Sequence, residues 1–308
     1  MNLNLSRVMI GVICLVVLGT GLWVTFIARE AVTASDTEDP LYLTIKSKSK
    51  TYNRAPENAY IDPVWKKTPG RYGRKVDINK SFRNMEDKGK FQKNLLVYDW
   101  VKPDVTLKDL AAAPIYRGHP EKEMVSLLIN VTWGQEFVPD LLKILKAKNV
   151  SATFFVDGKF AEEQAELVQI MAEEGHVVGS HGYNHQDMSD LSASEAKRLL
   201  LKTNDILYAL TDEKITWFAP PSGSYDQQTV EIADEIQMET ILWTVDTVDW
   251  KKPTRDVLIK RVMDNIHPGA TILMHPTQVI VDSLEALIDQ LQDDYQIGNI
   301  ETLLQENH

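Results

Sequence analysis

Residues 152–185 read ATFFVDGKFAEEQAELVQIMAEEGHVVGSHGYNH and contain a complete strand–helix–strand unit. The apolar run Ala152–Val156 predicts a buried strand, and the helical pattern over Glu162–Glu174 ends at Gly175, a residue that suits a helix C-cap. A second apolar strand follows at Val177–Gly179. Because strands joined through a helix are usually parallel, this stretch indicates an α/β fold.

The same alternation of strands and helices runs from Glu121 to the end of the chain. It predicts six or seven parallel strands, too few for a complete eight-stranded barrel. No Gly-rich phosphate loop follows the first strand, which argues against a nucleotide-binding doubly wound sheet. We therefore predict a distorted or incomplete (β/α) barrel of about seven strands over residues 121–306. One of its strands is predicted over Thr240–Val245.

Six of the predicted strands end in a residue suited to a turn or to chemistry. These residues are Asn130, Asp157, His181, Pro220, Asp246 and His275. In a barrel of parallel strands the C-terminal ends converge on one face, where such enzymes place their active sites. Core packing does not explain polar residues at the same end of so many strands, so we predict a functional site there.

The charge of the chain is divided unevenly, although its net value is −11. Residues 35–120 carry 17 Lys+Arg and 11 Asp+Glu (+6), whereas residues 121–308 carry 14 and 32 (−18). The acidic C-terminal part argues against a nucleic-acid partner. The single cysteine, Cys14, lies in the N-terminal apolar run, which excludes a cysteine nucleophile or a thiolate zinc site in the folded part.

The N-terminal segment predicts a membrane anchor. Val8–Ile27 contains no charged residue over a length that spans the hydrocarbon core of a bilayer as a helix. Arg7 precedes the run, which places residues 1–7 in the cytoplasm and the rest of the chain outside the cell membrane. The alternative is a cleaved signal peptide, for which residues 32–34 are a candidate cleavage site.

Residues 28–120 are predicted to form an irregular, basic stalk between the anchor and the barrel. Lys46, Lys48 and Lys50 alternate with serine, and the region shows little periodicity. Its positive charge suits a position near an anionic membrane or an anionic cell-wall polymer. A solvated linker with scattered lysines is an equally good explanation.

Two histidines follow the strand predicted over Val177–Gly179. Four residues separate His181 from His185, and on a helical turn this spacing brings two imidazoles within reach of one divalent ion. The alternative is a pair of surface histidines after a strand.

Two carboxylates and a tryptophan follow a later strand, at Asp246, Asp249 and Trp250. Such carboxylates can orient a histidine, and the tryptophan can form the wall of an apolar pocket; a solvated loop is the alternative. His275 suits a general acid because its charge changes near neutral pH, whereas a hydrogen-bonded core histidine is the alternative. The turn at Pro220–Gly223 presents backbone amides that could face a developing oxyanion.

Taken in order, these motifs resemble the polysaccharide deacetylases with a NodB-homology domain, over about residues 121–305. His181 and His185 match the family's His-(Ser/Thr)-x-x-His, with Gly182 in the Ser/Thr place, Asp246, Asp249 and Trp250 match its Asp-x-x-Asp-Trp, and Leu273 and His275 match its Leu-x-His. With its anchor and basic stalk, the chain looks like the sporulation-associated, membrane-anchored branch.

The resemblance implies removal of N-acetyl groups from a cell-wall or spore-envelope glycan such as peptidoglycan. In the family a zinc-type ion activates the attacking water, which implies that His181 and His185 bind a divalent metal here, with the third protein ligand unknown. The resemblance also implies catalytic roles for His275, Asp246 and Asn130, and substrate contacts for Trp250, Ser222, Leu273 and Asp249.

The chain departs from the family at the base. Asn130 replaces the aspartate that acts as the catalytic base, and an amide cannot accept that proton at neutral pH. Ala219 replaces the arginine that pairs with this aspartate. No residue matches the metal-binding aspartate; Asp157 and Glu136 are the candidates for a substitute carboxylate. Three hypotheses follow: a deacetylase, a glycan-binding pseudoenzyme of the same fold, and a structural envelope protein.

Overall fold

The computed structural model describes residue 37 and residues 39–307. The predicted anchor at Val8–Ile27 and the residues before it lie outside this range. Within the described part of the chain, no helix is both long and apolar enough to cross a membrane. The chain divides into two compact units: the first ends at Pro56 and resumes over Tyr72–Lys102, and the second comprises Glu57–Arg71 and the chain from Pro103 onward.

The region predicted as an irregular stalk contains regular structure where it is described, so that part of the prediction is wrong. Its elements are α1 (Pro40–Tyr52), β1 (Tyr60–Asp62), β2 (Lys66–Thr68), β3 (Gly73–Val76), α2 (Ile78–Glu86) and β4 (Tyr98–Val101). β1 pairs with β2 and β3 with β4, both antiparallel. The Lys–Ser alternation conceals α1 because Ile45 and Ser49 are its buried residues.

The first unit has its own small core and capped helices. Asp39 and Asp77 accept hydrogen bonds from backbone amides at the starts of α1 and α2, which stabilises both helices. The buried apolar residues are Ile45, Val76, Phe82, Met85 and Leu96.

The larger unit follows the predicted α/β alternation. Its elements after Pro103 are β5 (Met124–Val131), α3 (Val138–Ala147), β6 (Thr153–Val156), α4 (Gly158–Glu163), α5 (Ala165–Glu173), β7 (Val177–Ser180), α6 (Ala193–Thr211), β8 (Trp217–Phe218), α7 (Gln227–Glu235), β9 (Glu239–Thr240), β10 (Val245–Asp246), α8 (Arg255–Asn265), β11 (Thr271–Met274), α9 (Gln278–Gln292), β12 (Gln296–Gly298) and α10 (Ile300–Leu304). All pairs in the main sheet are parallel, in the order β10-β11-β5-β6-β7-β8-β9, and β12 also pairs with β5.

The predicted single strand over Thr240–Val245 is wrong, because the structure has two short strands there. β9 pairs with β8 and β10 pairs with β11, so one stretch of chain supplies both ends of the sheet order. Between them Ile241 leaves the strand and forms a parallel bridge with Ile115. The sheet thus curls towards closure without completing it, which confirms the predicted incomplete barrel of about seven strands.

The alternation of side chains along β5 places one residue of the candidate site inside the curl. Leu127 and Ile129 belong to the larger apolar cluster, which includes the buried faces of the helices. Leu128 belongs to a second cluster, together with Phe155 of β6. Because side chains two apart share a face, Asn130 lies on the same side as Leu128.

Candidate active site

The parallel register brings four of the predicted residues to one edge of the sheet. Ile129 of β5 is aligned with Met274 of β11, so Asn130 and His275 are the next residues on neighbouring strands. Val156 of β6 is aligned with Ser180 of β7, so Asp157 and His181 are also neighbours. The four residues therefore lie at the C-terminal ends of adjacent strands, as predicted.

The histidine pair is close together, but the helical turn predicted for it is wrong. Gly182, Asn184 and His185 adopt left-handed conformations, with φ of 70°, 55° and 49°, and the segment after β7 is a tight turn. This turn places the imidazole centroids of His181 and His185 5.4 Å apart. The two rings are therefore near enough to share a ligand, although they do not lie on a helix.

His181 is held in the form that a metal ligand requires. Its Nδ1 donates a hydrogen bond of 2.8 Å to the carbonyl oxygen of Ala219, which leaves the lone pair of Nε2 available. Burial, with smaller contributions from the nearby His185 and His275, lowers the pKa of His181 to about 3. His181 is consequently neutral at physiological pH, and His275 lies close enough to interact with it electrostatically.

Asp157 does not supply a free third ligand. Its Oδ1 accepts hydrogen bonds from the amides of Lys159 and Phe160, and its Oδ2 accepts one of 2.8 Å from the amide of His185. Burial raises the pKa of Asp157, while these three amides act in the opposite direction. The carboxylate therefore caps α4 and holds the turn that carries His185.

The residues present do not fit a three-ligand metal centre. Glu136, the other candidate for a substitute carboxylate, lies in the loop after β5 and lines a different cavity, described below. Among residues 37 and 39–307, no group of three or more His, Cys, Asp and Glu side chains is placed to hold a metal ion. Two imidazoles alone make a weak site for zinc.

Asn130 occupies the position of the base without any means to act as one. Its side chain is only 3% exposed, and its Oδ1 is buried with no hydrogen-bond partner. Ala219, in the place of the family's arginine, is also buried and presents only a methyl group. An unpartnered buried amide oxygen costs about 1–3 kcal/mol, so this position is not optimised for stability alone.

The acid side of the site is assembled through Asp249, one of the two carboxylates that we predicted could orient a histidine. His275 Nδ1 donates a hydrogen bond of 3.0 Å to Oδ1 of Asp249, which is completely buried. Asp249 also accepts hydrogen bonds from the hydroxyls of Thr247 and Thr277. Asp246, which we predicted as catalytic, accepts instead from the amide of Val248.

The exchange of roles between the two aspartates has a local cause. Val248 adopts a left-handed conformation with a φ of 53°, which turns the chain sharply after β10. Asp246 stabilises this turn, and Asp249 is directed towards His275. Orientation of the histidine is thus the role of Asp249, for which we predicted a substrate contact.

A tryptophan that sequence reasoning did not select also contacts His275. Trp133, in the loop after β5, stacks on the imidazole with centroids 5.8 Å apart and an interplanar angle of 12°. The indole is 45% exposed, and Trp250 is 53% exposed. Both line a cavity of about 620 Å³ that adjoins Asp249. The departure from the family at Asn130, three residues before Trp133, was the signal that could have drawn attention to this tryptophan.

The remaining predicted residues lie elsewhere in the second unit. Leu273 is buried in β11, aligned with Leu128 of β5. Ser222 is exposed in the turn after β8, with a φ of 57°. The amides of Gly223 and Ser224 donate to carbonyl groups within this turn, so they are not free to face an oxyanion as predicted.

Comparisons with known proteins agree with this architecture. The family described as "Polysaccharide deacetylase" matches residues 117–241. YlxY of Bacillus subtilis is 46% identical over 279 residues, which cover 90% of this chain and 88% of that protein. The peptidoglycan-N-acetylmuramic acid deacetylase PdaA of Bacillus subtilis is 30% identical, and the match covers 58% of this chain and 68% of PdaA.

Solved structures give the same result. BA3943 of Bacillus anthracis, described as a CE4 family pseudoenzyme, is 48% identical with a TM-score of 0.83, and the match covers 88% of this chain and 97% of that one. A BA3943 mutant described as having restored enzymatic activity is 47% identical with a TM-score of 0.83, over 87% of this chain and 99% of that one.

Proposed function

Since this chain belongs to the polysaccharide deacetylase family, we propose that it binds an N-acetylated cell-envelope glycan at the mouth of its sheet without hydrolysing it. The observation that carries the proposal is Asn130, a buried amide at the position of the base, with Ala219 in place of the neighbouring cation. An amide cannot take up the proton that the attacking water must lose. The likeness to the BA3943 pseudoenzyme supports the same conclusion.

Deacetylation remains the second candidate, because a specific observation favours it. The hydrogen bond between His275 and Asp249 is intact, and this arrangement suits a general acid that protonates a departing amine. Neutral His181 retains an available ring nitrogen beside His185. Relatives such as PdaA are named for deacetylation of peptidoglycan, which supports a peptidoglycan substrate under this alternative.

Two measurements on the purified chain separate the candidates. We expect peptidoglycan fragments and chitooligosaccharides to bind in a calorimetric titration, with no acetate released above the background of a heat-inactivated sample. The metal content of the same sample should be determined, so that a lack of turnover is not due to metal lost during purification. Acetate release at a rate proportional to protein concentration would overturn the proposal, and failure to bind any glycan would favour a purely structural role.

The proposal also states where the protein lies in the cell and when it is made. The uncharged run Val8–Ile27 and Arg7 before it support a single-pass anchor with the barrel outside the cell membrane. The anchor and the basic region that follows it support assignment to the sporulation-associated branch. Protease treatment of intact protoplasts should degrade the barrel, and the protein should accumulate during spore formation. A barrel protected from external protease would contradict the orientation.

A further inference from the structure

The cavity beside His275 has the size and construction of a binding site. It measures about 620 Å³, which is within the range of small-molecule sites in proteins. Its walls come from the three loops that follow β5, β10 and β11. It lies on the Asp249 side of His275, and neither His181 nor His185 lines it.

Two half-exposed tryptophans dominate the wall of this cavity. Trp133 uses one face to stack on His275, and its side chain remains 45% exposed. Trp250 is 53% exposed, and the ammonium group of Lys251 lies 4.7 Å from its ring centroid. The electron-rich face of an indole attracts groups with partial positive charge, such as the C–H groups on the flat face of a pyranose ring. Exposed aromatic surface of this kind commonly marks a binding site.

The loop that carries Trp133 is fixed in place. Gly134 has a φ of 78°, which favours glycine, and a Cβ there would collide with the carbonyl oxygen of Pro276. The loop therefore lies directly against the segment that follows His275. Trp133 is held in its position before any ligand binds, which lowers the entropic cost of binding.

The charges in the cavity favour a neutral ligand. Two cations, Lys252 and Arg255, line it together with two acids, Glu136 and Asp282. Asp249 adds a third acid to the lining. Because acids outnumber cations by three to two, the cavity offers donors and acceptors for hydroxyl groups without a net attraction for an anion.

We infer that this cavity is an additional sugar subsite that binds a neutral N-acetylhexosamine ring between Trp133 and Trp250. The inference rests on the proposed function, because the ring would belong to the same glycan that reaches the mouth of the sheet. It goes beyond the motifs matched to the family, since Trp133 and Glu136 belong to the stretch where this chain departs from them.

The test is a calorimetric titration of the full-length chain and its variants with chitopentaose. We expect Trp133→Ala and Trp250→Ala each to raise Kd about tenfold, which is the effect of losing about 1.4 kcal/mol. Trp133→Phe should bind more tightly than Trp133→Ala, because it retains an aromatic face. Trp100→Ala is the matched control: Trp100 is 46% exposed but does not line the cavity, so this variant should bind like the wild type.

The outcomes distinguish the inference from the proposal on which it rests. If the wild type binds chitopentaose and Trp133→Ala binds equally well, the subsite is refuted and glycan binding stands. If the wild type binds no glycan at millimolar concentration, both are refuted. Tighter binding of an anionic N-acetylmuramic acid disaccharide than of the neutral chain, lost in Arg255→Gln, would overturn the assignment of a neutral ligand. Thermal unfolding of each variant identifies any that fails to fold.

Discussion

Asp249 accepts a hydrogen bond from Nδ1 of His275 at 3.0 Å while it is completely shielded from solvent. The hydroxyls of Thr247 and Thr277 donate to the same carboxylate at 2.9 and 3.0 Å. A buried carboxylate that accepts from three donors cannot be replaced without cost by a group that brings donors of its own.

We therefore expect Asp249→Asn to lower the free energy of unfolding by about 2–4 kcal/mol, because the new amide nitrogen would face donors. Urea denaturation at pH 7 measures the change. Asp246→Asn is the matched control: Asp246 accepts one amide hydrogen bond in a partly exposed turn, so its replacement should cost about 1 kcal/mol or less. If both variants lost the same free energy of unfolding, the hydrogen bonds of Asp249, including the one from His275, would contribute no more to stability than that of Asp246.

The second prediction concerns the base. Asn130→Asp alone places a carboxylate at a buried position with no cation supplied, and we expect it to destabilise the protein by about 3 kcal/mol at pH 7. Adding Ala219→Arg provides a partner, so the double variant should recover part of this loss and release more acetate from a chitooligosaccharide than the wild type does. The control is Asn130→Ala with Ala219→Arg, which lacks a base and should release none. A double variant without turnover would show that the rest of the site is unfit for catalysis.

Sequence reasoning identified the strands because each is a short apolar run that ends at a polar residue. It failed at Thr240–Val245, where one apolar run serves both ends of the sheet order. Such a run is interrupted where its pairing partner changes, and those partners, β8 and β11 here, come from other parts of the chain. Regular structure in residues 40–102 was missed because α1 buries only Ile45 and Ser49 and bears three lysines, and because the strands have only three or four residues each.

The sequence predicts where the candidate site lies more accurately than it predicts which residues contact one another there. Asp246 ends β10 and Asp249 follows three residues later, and the left-handed turn at Val248 decides which of them contacts His275. The pattern of residue types carries no information about that turn, because valine rarely adopts it. Trp133 was missed for a similar reason, since its contact with His275 depends on how closely Gly134 approaches Pro276.

The third prediction concerns metal binding. With only His181 and His185 available, we expect one zinc ion to bind weakly, and His181→Ala to abolish this binding, because His181 supplies the oriented Nε2. Calorimetric titration with zinc chloride in a non-chelating buffer measures it. His267→Ala, which removes a histidine outside the site, should bind zinc like the wild type. Tight, stoichiometric zinc that survives His181→Ala would refute the assignment of the metal to this pair.

The last prediction is a loss of stability in mild acid. Burial lowers the pKa of His119, His176, His181 and His267. Below pH 6.5 or so, the unfolded chain binds protons at these histidines, whereas the folded chain does not until its own lower pKa is reached. The unfolded state then holds more protons, so the free energy of unfolding falls as the pH falls, by at most about 1.4 kcal/mol per pH unit for each such histidine.

His176 offers the cleanest test of this dependence because it lies outside the candidate site. Its Nδ1 accepts a hydrogen bond from the amide of Ala152, and the ring packs edge-on against Phe154. We expect His176→Gln to reduce the slope of the unfolding free energy against pH between pH 5 and 6.5. The reduction should be at most the contribution of one bound proton, about 1.4 kcal/mol per pH unit. Urea titrations with EDTA present measure it. Ser151→Ala removes a neighbouring hydrogen bond to Gly175 and should lower stability at every pH without altering the slope. An unchanged slope in His176→Gln would mean that the native protein protonates this histidine as readily as the unfolded chain does.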